Sequence, residues 1–189
     1  EALLAELAQA GYLVASLTEL RTSGLRYRAA VPVLLRWLPT VSDRRAKEDL
    51  VRALSVPWAR AVAARPLIDE FERVDERVDP SGTGLRWAIG NALSVVADDS
   101  VFDDLVRLVE DRSFGKARQM VVLGLGRSKR PEALSVLIGL LDDEDVSGHA
   151  VKALGQLGIE QARPALERMV KDPRAWVRSE AKKALARLR

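Results

Sequence analysis

Cysteine is absent from the 189 residues, which removes disulfide frameworks, thiolate nucleophiles and cysteine-held zinc or iron–sulfur centres together. Histidine occurs once, as His149. Metal sites need several converging ligands, so a lone histidine beside the apolar position Ala150 reads as a partly exposed helix residue. Long apolar runs are also missing: a span across a bilayer needs roughly 18 residues, and the longest run here, at 29–35, stops within two helical turns. No membrane association is expected. The basic, apolar, small-residue start of a signal peptide is lacking too, and cytoplasm is the expected location. The chain opens at Glu1 without a methionine, as a trimmed or partial sequence would.

Charge of one sign is scarce overall, with a net +3 that demands no polyanionic partner. Its distribution is uneven. From Lys171 to Arg189 the cations exceed the carboxylates by five, so the rest of the chain is slightly acidic. Apolar residues make up 48% and charged residues 30%, a globular balance too hydrophobic for disorder.

What is present is a repeat. Val177, Ala181, Ala184, Leu185 and Leu188 have the spacing of one helix face. Stepping back 31 residues gives Val146, Ala150, Ala153, Leu154 and Leu157. A further 32 gives Phe114, Arg118, Val121, Val122 and Leu125, with Arg118 standing where alanine is expected, and another 29 gives Leu85, Ile89, Ala92, Leu93 and Val96. Each is followed by a turn and a second apolar helix, such as Val101, Leu105, Leu108, Val109, or Ala133, Leu137, Leu140, Leu141, or Ala162, Leu166, Met169, Val170. The unit is a helical hairpin. Gly126 and Gly158 are read as positive-φ stops of first helices. Acidic and proline-containing turns separate the hairpins: Asp142-Asp143-Glu144-Asp145 and Lys171-Asp172-Pro173-Arg174. In the amino-terminal half, second-type helices begin Ala30-Val31-Pro32 and Ala64-Arg65-Pro66, with proline expected in a first helical turn as at Pro164. Ser16-Leu17-Thr18-Glu19 matches a capping box. These spacings place one domain over 1–189, with divergent repeats at 1–74, a loop at 75–84 and regular repeats at 85–189.

The runs Ala150-Val151-Lys152-Ala153-Leu154-Gly155-Gln156-Leu157-Gly158 and Asp172-Pro173-Arg174-Ala175-Trp176-Val177-Arg178 resemble the HEAT-like repeat, in the short variety also found in phycobilin lyases. The resemblance implies an all-α fold, an α-solenoid or right-handed superhelix of about five to six stacked hairpins, whose second helices line a concave surface. It also implies that Asp172 and Arg178 tie neighbouring repeats together, with Asp79 and Arg86 as an approximate second pair. HEAT-like di-iron hydroxylases use repeated His–Glu pairs; none occurs here, which sets that enzyme class aside.

The carboxylates at Asp98-Asp99, Asp103-Asp104 and 142–145 are explained by helix starts, and no calcium-loop spacing is present. Gly82-Thr83-Gly84 lacks the lysine of a phosphate loop and reads as a turn. Trp37 and Trp58 sit beside apolar runs and are expected in the core. Trp87 and Trp176 lie off the core stripe, where they either pack on an adjacent repeat or touch a partner. Arg178 and Lys182 share a side of the basic last helix, while Arg36, Arg73 and Arg107 lie on second helices of mixed charge. The sequence therefore reads as a non-catalytic scaffold without cofactors that binds a protein or peptide through Arg36, Arg73, Arg107, Trp87, Trp176, Arg178 and Lys182. Two alternatives remain: a nucleic-acid binder resembling the HEAT-like alkylpurine DNA glycosylases, and an accessory lyase-like subunit. Leu154 and Leu185 are both expected to be buried.

Overall fold

The structure, a computed structural model, describes residues 1–75 and 83–188. The expected loop at 75–84 lies largely outside the described residues, as does Asp79. Twelve α-helices and no strand are formed among the described residues. The chain packs as two compact units, Glu1–Ala97 and Asp98–Arg189.

The first unit holds α1 (Ala2–Gln9), α2 (Leu17–Thr22), α3 (Ala30–Trp37), α4 (Arg44–Leu54), α5 (Arg60–Arg73) and α6 (Leu85–Val96). Two starts are fixed by side-chain caps. Ser16 Oγ accepts the Glu19 N–H at 3.1 Å while the Glu19 carboxylate accepts the Ala15 N–H at 2.7 Å, and Asp43 accepts the Ala46 N–H at 2.8 Å. Such caps satisfy amides that the helix itself leaves open. α6 belongs to the first unit because it lies against α4 and α5. Every residue of its expected stripe, Leu85, Ile89, Ala92, Leu93 and Val96, is buried. Tyr27 is buried with them, its hydroxyl donating to the Ala53 carbonyl at 3.0 Å. Lys47 of α4 pairs with the nearly buried Glu70 of α5. Trp37 and Trp58 are half-buried at the margin of this core, and Trp58 meets Tyr27 edge to face at 5.2 Å.

Pro66 departs from expectation. It lies inside α5 instead of in its first turn, because the helix begins earlier, at a 3-10 turn opened by Pro57. The ring then removes one intrahelical donor in mid-helix.

The second unit holds α7 (Phe102–Glu110), α8 (Arg118–Leu125), α9 (Glu132–Gly139), α10 (Ser147–Leu157), α11 (Arg163–Met169) and α12 (Ala175–Leu185). First helices α8, α10 and α12 pack side by side, and each second helix lies against a first helix. The repeat register predicts this core: Val121, Val122, Leu125, Val146, Ala150, Ala153, Leu154, Val177 and Ala181 are fully buried. Phe114, Leu157, Leu185 and Leu188, at the ends of these stripes, are only half-buried. Of the two glycine stops, Gly158 takes φ +64° as expected, but Gly126 keeps helical geometry at φ −65°. Gly126 is needed for space instead: a Cβ there would lie 2.8 Å from the Ala153 Cα.

Candidate interaction surface

Arginines fasten the turns that shape the exposed faces. Arg118, the mismatch in the repeat, is 1% exposed. Its guanidinium donates to the carbonyls of Gly115 and Val109, each at 2.9 Å, and to the Asp143 carboxylate at 2.8 Å. It thereby ties the end of α7 and the start of α8 to the acidic turn before α10. Burial alone would raise the Asp143 pKa, but hydrogen bonding and charge from Arg118, the Asp145 N–H and the Arg112 charge outweigh it and hold the carboxyl below its ordinary range. Arg174 makes the next tie. It holds the Asp172 carboxylate at 2.8 Å and reaches back to the Glu144 carbonyl at 3.0 Å and Ser147 Oγ at 2.8 Å. The bond to Arg174 keeps Asp172 low in pKa.

The expected Asp172–Arg178 tie is therefore differently made. The carboxylate goes to Arg174, while Arg178 donates to the backbone carbonyls of Asp172 and Pro173 at 2.8 and 2.7 Å. Arg86 occupies the corresponding place in the first turn of α6: buried, it donates to the carbonyls of Phe71 at 3.0 Å and of Val74. A carbonyl at a helix end has no free partner within its helix, and a guanidinium with five donors suits several at once.

The residues expected to meet a partner fall in different places. In the first unit Arg36 is well exposed and pairs with Glu6 at 2.8 Å, Arg73 is exposed at 3.9 Å from Glu70, and half-buried Trp87 lines a shallow depression with Arg44, Glu48, Arg52 and Asn91. In the second unit exposed Arg107 stands 3.4 Å from Asp104. Arg178 turns inward to the backbone, whereas Lys182 stays in solvent.

Trp176 is 48% exposed. Its ring lies across Gly148, where a Cβ would come within 1.9 Å of it, and meets the His149 ring edge to face at 5.8 Å. Burial, with the Lys152 charge, lowers the His149 pKa and keeps the imidazole neutral at pH 7. Sequence reasoning marked Trp176 but missed its seat. A glycine on the helix side opposite an off-stripe tryptophan is the signal that would have found it.

The comparisons bear on what these repeats are. A profile of HEAT repeats matches residues 142–189. The structure also resembles a designed armadillo repeat protein, YIII(Dq)4CqI, with a TM-score of 0.58 and 19% identity over 99% of this chain and 100% of that one, a likeness of fold alone. Residues 142–189 are HEAT repeats. The chain's fold class is all-α, of the α-solenoid kind. Deoxyhypusine hydroxylase of Schizosaccharomyces pombe (strain 972 / ATCC 24843) is 32% identical over 131 residues, which are 65% of this chain and 41% of the relative. The chain thus spans about two fifths of that relative's length.

That relative is an enzyme, which overturns the non-catalytic reading of the sequence. The lack of His–Glu pairs establishes something narrower than the exclusion drawn from it. A metal centre of the repeated His–Glu kind does not fit this chain's donors: its single histidine is engaged with Trp176, and among the described residues no group of three or more histidine, aspartate and glutamate side chains could hold a metal ion. Among the described residues, no helix is long and apolar enough to cross a membrane.

Proposed function

We propose that the chain is a repeat scaffold that binds a protein or peptide partner on the exposed face of its second helices, the face that is concave in a HEAT-type solenoid. The observation that carries this reading is the charge pattern there. Arg36, Arg73 and Arg107 are each more than half exposed, and each stands beside a carboxylate: Glu6, Glu70 and Asp104. Arg168 pairs likewise with Asp142 at 3.1 Å. Paired signs suit a protein surface of alternating charge, whereas a nucleic-acid groove is more uniformly basic. Reversing the three arginines together (Arg36→Glu, Arg73→Glu, Arg107→Glu) tests it. The wild type should retain a protein from nuclease-treated lysate that the still-folded variant loses. Equal retention by both counts against the second-helix face, and recovery of nucleic acid alone, released by salt, favours the polyanion reading.

The match to an enzyme favours a second reading, in which the repeats contribute to the reaction the yeast relative is named for. Turnover by the purified chain in an assay of that reaction would establish it; no turnover would leave binding as the account.

A further inference from the structure

Four side chains of α12 and its closing turn share one side at helical spacing: Trp176, Glu180, Lys183 and Arg187. Lys183 and Glu180 neutralise each other at 2.8 Å. Arg187 lies one turn beyond Lys183 on this side, and Lys152 lies one turn beyond Gly148 on α10, the residue that the indole covers; the Glu180 carboxyl is held low by Lys183 first, with the charges of Lys152 and Arg187 adding to it. Lys152 and Arg187 are exposed and make no ion pair among the described residues. Beside them Trp176 presents an indole that is pinned to α10 by the missing side chain of Gly148 and still 48% exposed. His149 adds no charge at neutral pH. The patch is thus a fixed aromatic surface bordered by two cations outside any ion pair, an arrangement in which a rigid anchor loses little entropy on binding and the cations select the sign of the partner.

Building on the scaffold reading above, we propose that the surface of α10 and α12 around Trp176 docks an acidic segment of a partner protein, with an apolar side chain of that segment seated on the indole. The charge complement selects this occupant: a basic segment would meet Lys152 and Arg187 without compensation.

Fluorescence anisotropy of a short labelled peptide of glutamates and aspartates around one leucine tests the proposal, with the same peptide carrying lysines as comparison. Saturable binding of the acidic peptide alone is expected. Lys152→Glu with Arg187→Glu should weaken it by about tenfold or more, Trp176→Ala should weaken it as well, and Arg45→Glu, a like charge reversal at an exposed position of α4, should leave it unchanged. Both reversed cations are exposed, and circular dichroism verifies that each variant keeps its helices. No binding by the wild type, binding indifferent to the cation reversal or to Trp176→Ala, or equal weakening by Arg45→Glu each overturns the inference. Loss of partner capture by the Arg36, Arg73 and Arg107 variant without any peptide binding removes this inference and leaves the scaffold reading standing. Peptide binding with capture unaffected by that variant does the reverse.

Discussion

Arg118 breaks the apolar stripe of α8, yet it is among the most buried side chains of the molecule. Its partners explain why a charge is tolerated there: carbonyls of two preceding segments and the Asp143 carboxylate, whose side chain is only 8% exposed. Removing one partner of a buried pair leaves the other uncompensated, which costs about 3–5 kcal/mol. Arg118→Ala should therefore lower the stability of the second unit by that order at neutral pH. The sign of the pH dependence follows from Asp143. Its folded pKa is depressed, so its contribution is present above the unfolded value, about 3.9, and is lost as the pH falls through the folded value. Without Arg118, burial would instead keep the carboxyl protonated more readily. The gap between wild type and variant should shrink between neutral pH and pH values below about 4, as measured by denaturant unfolding. A gap unchanged by pH would mean that the Asp143 pair is not what Arg118 stabilises.

At the scale of elements, glycines on α9 and α10 separate two roles that sequence alone does not distinguish. A Cβ on Gly155 would lie 2.8 Å from the Ala184 Cα, so α12 would have to move away from α10, while a Cβ on Gly139 at the end of α9 meets nothing within 4 Å. Both are helical. Alanine at 155 should destabilise by about 1–3 kcal/mol through overpacking, and alanine at 139 should stabilise by up to about 1 kcal/mol through helix propensity. Opposite shifts of the melting temperature are the expected outcome; shifts of the same sign would contradict the close α10–α12 approach. The same kind of contact separates what was legible from what was not. The stripe over α6 and the register of α8, α10 and α12 could be read, because apolar spacing reports burial directly. The roles of Gly126 and of Arg178 could not. One depends on how near a neighbouring helix passes, and the other on backbone carbonyls, which leave no mark on residue type. Pro66 was misplaced because a helix start set by Pro57 lies outside its own local pattern.

For the molecule as a whole, what the repeats bind depends on their register, since the register decides which side chains are spent on the core and which remain outside. The resemblance to HEAT-like repeats was visible from residues 150–158 and 172–178, and the family match at 142–189 covers the same stretch. The likeness to an enzyme was weighed and set aside on the lack of His–Glu pairs, because it lies in overall identity to a longer protein and not in a local motif. The partner surface was half legible, since exposed tryptophan and arginine can be flagged by position while their ion pairs cannot. The register itself is tested most directly by chemical unfolding of two variants that sequence spacing treats alike. Leu154 is fully buried and Leu185 half-exposed, and an unpaired charge is costly only where water is excluded. Leu154→Asp should abolish the cooperative transition of the second unit, whereas Leu185→Asp should shift its midpoint slightly. A Leu154→Asp variant with the wild-type transition would contradict the repeat register and the surface assignments that rest on it.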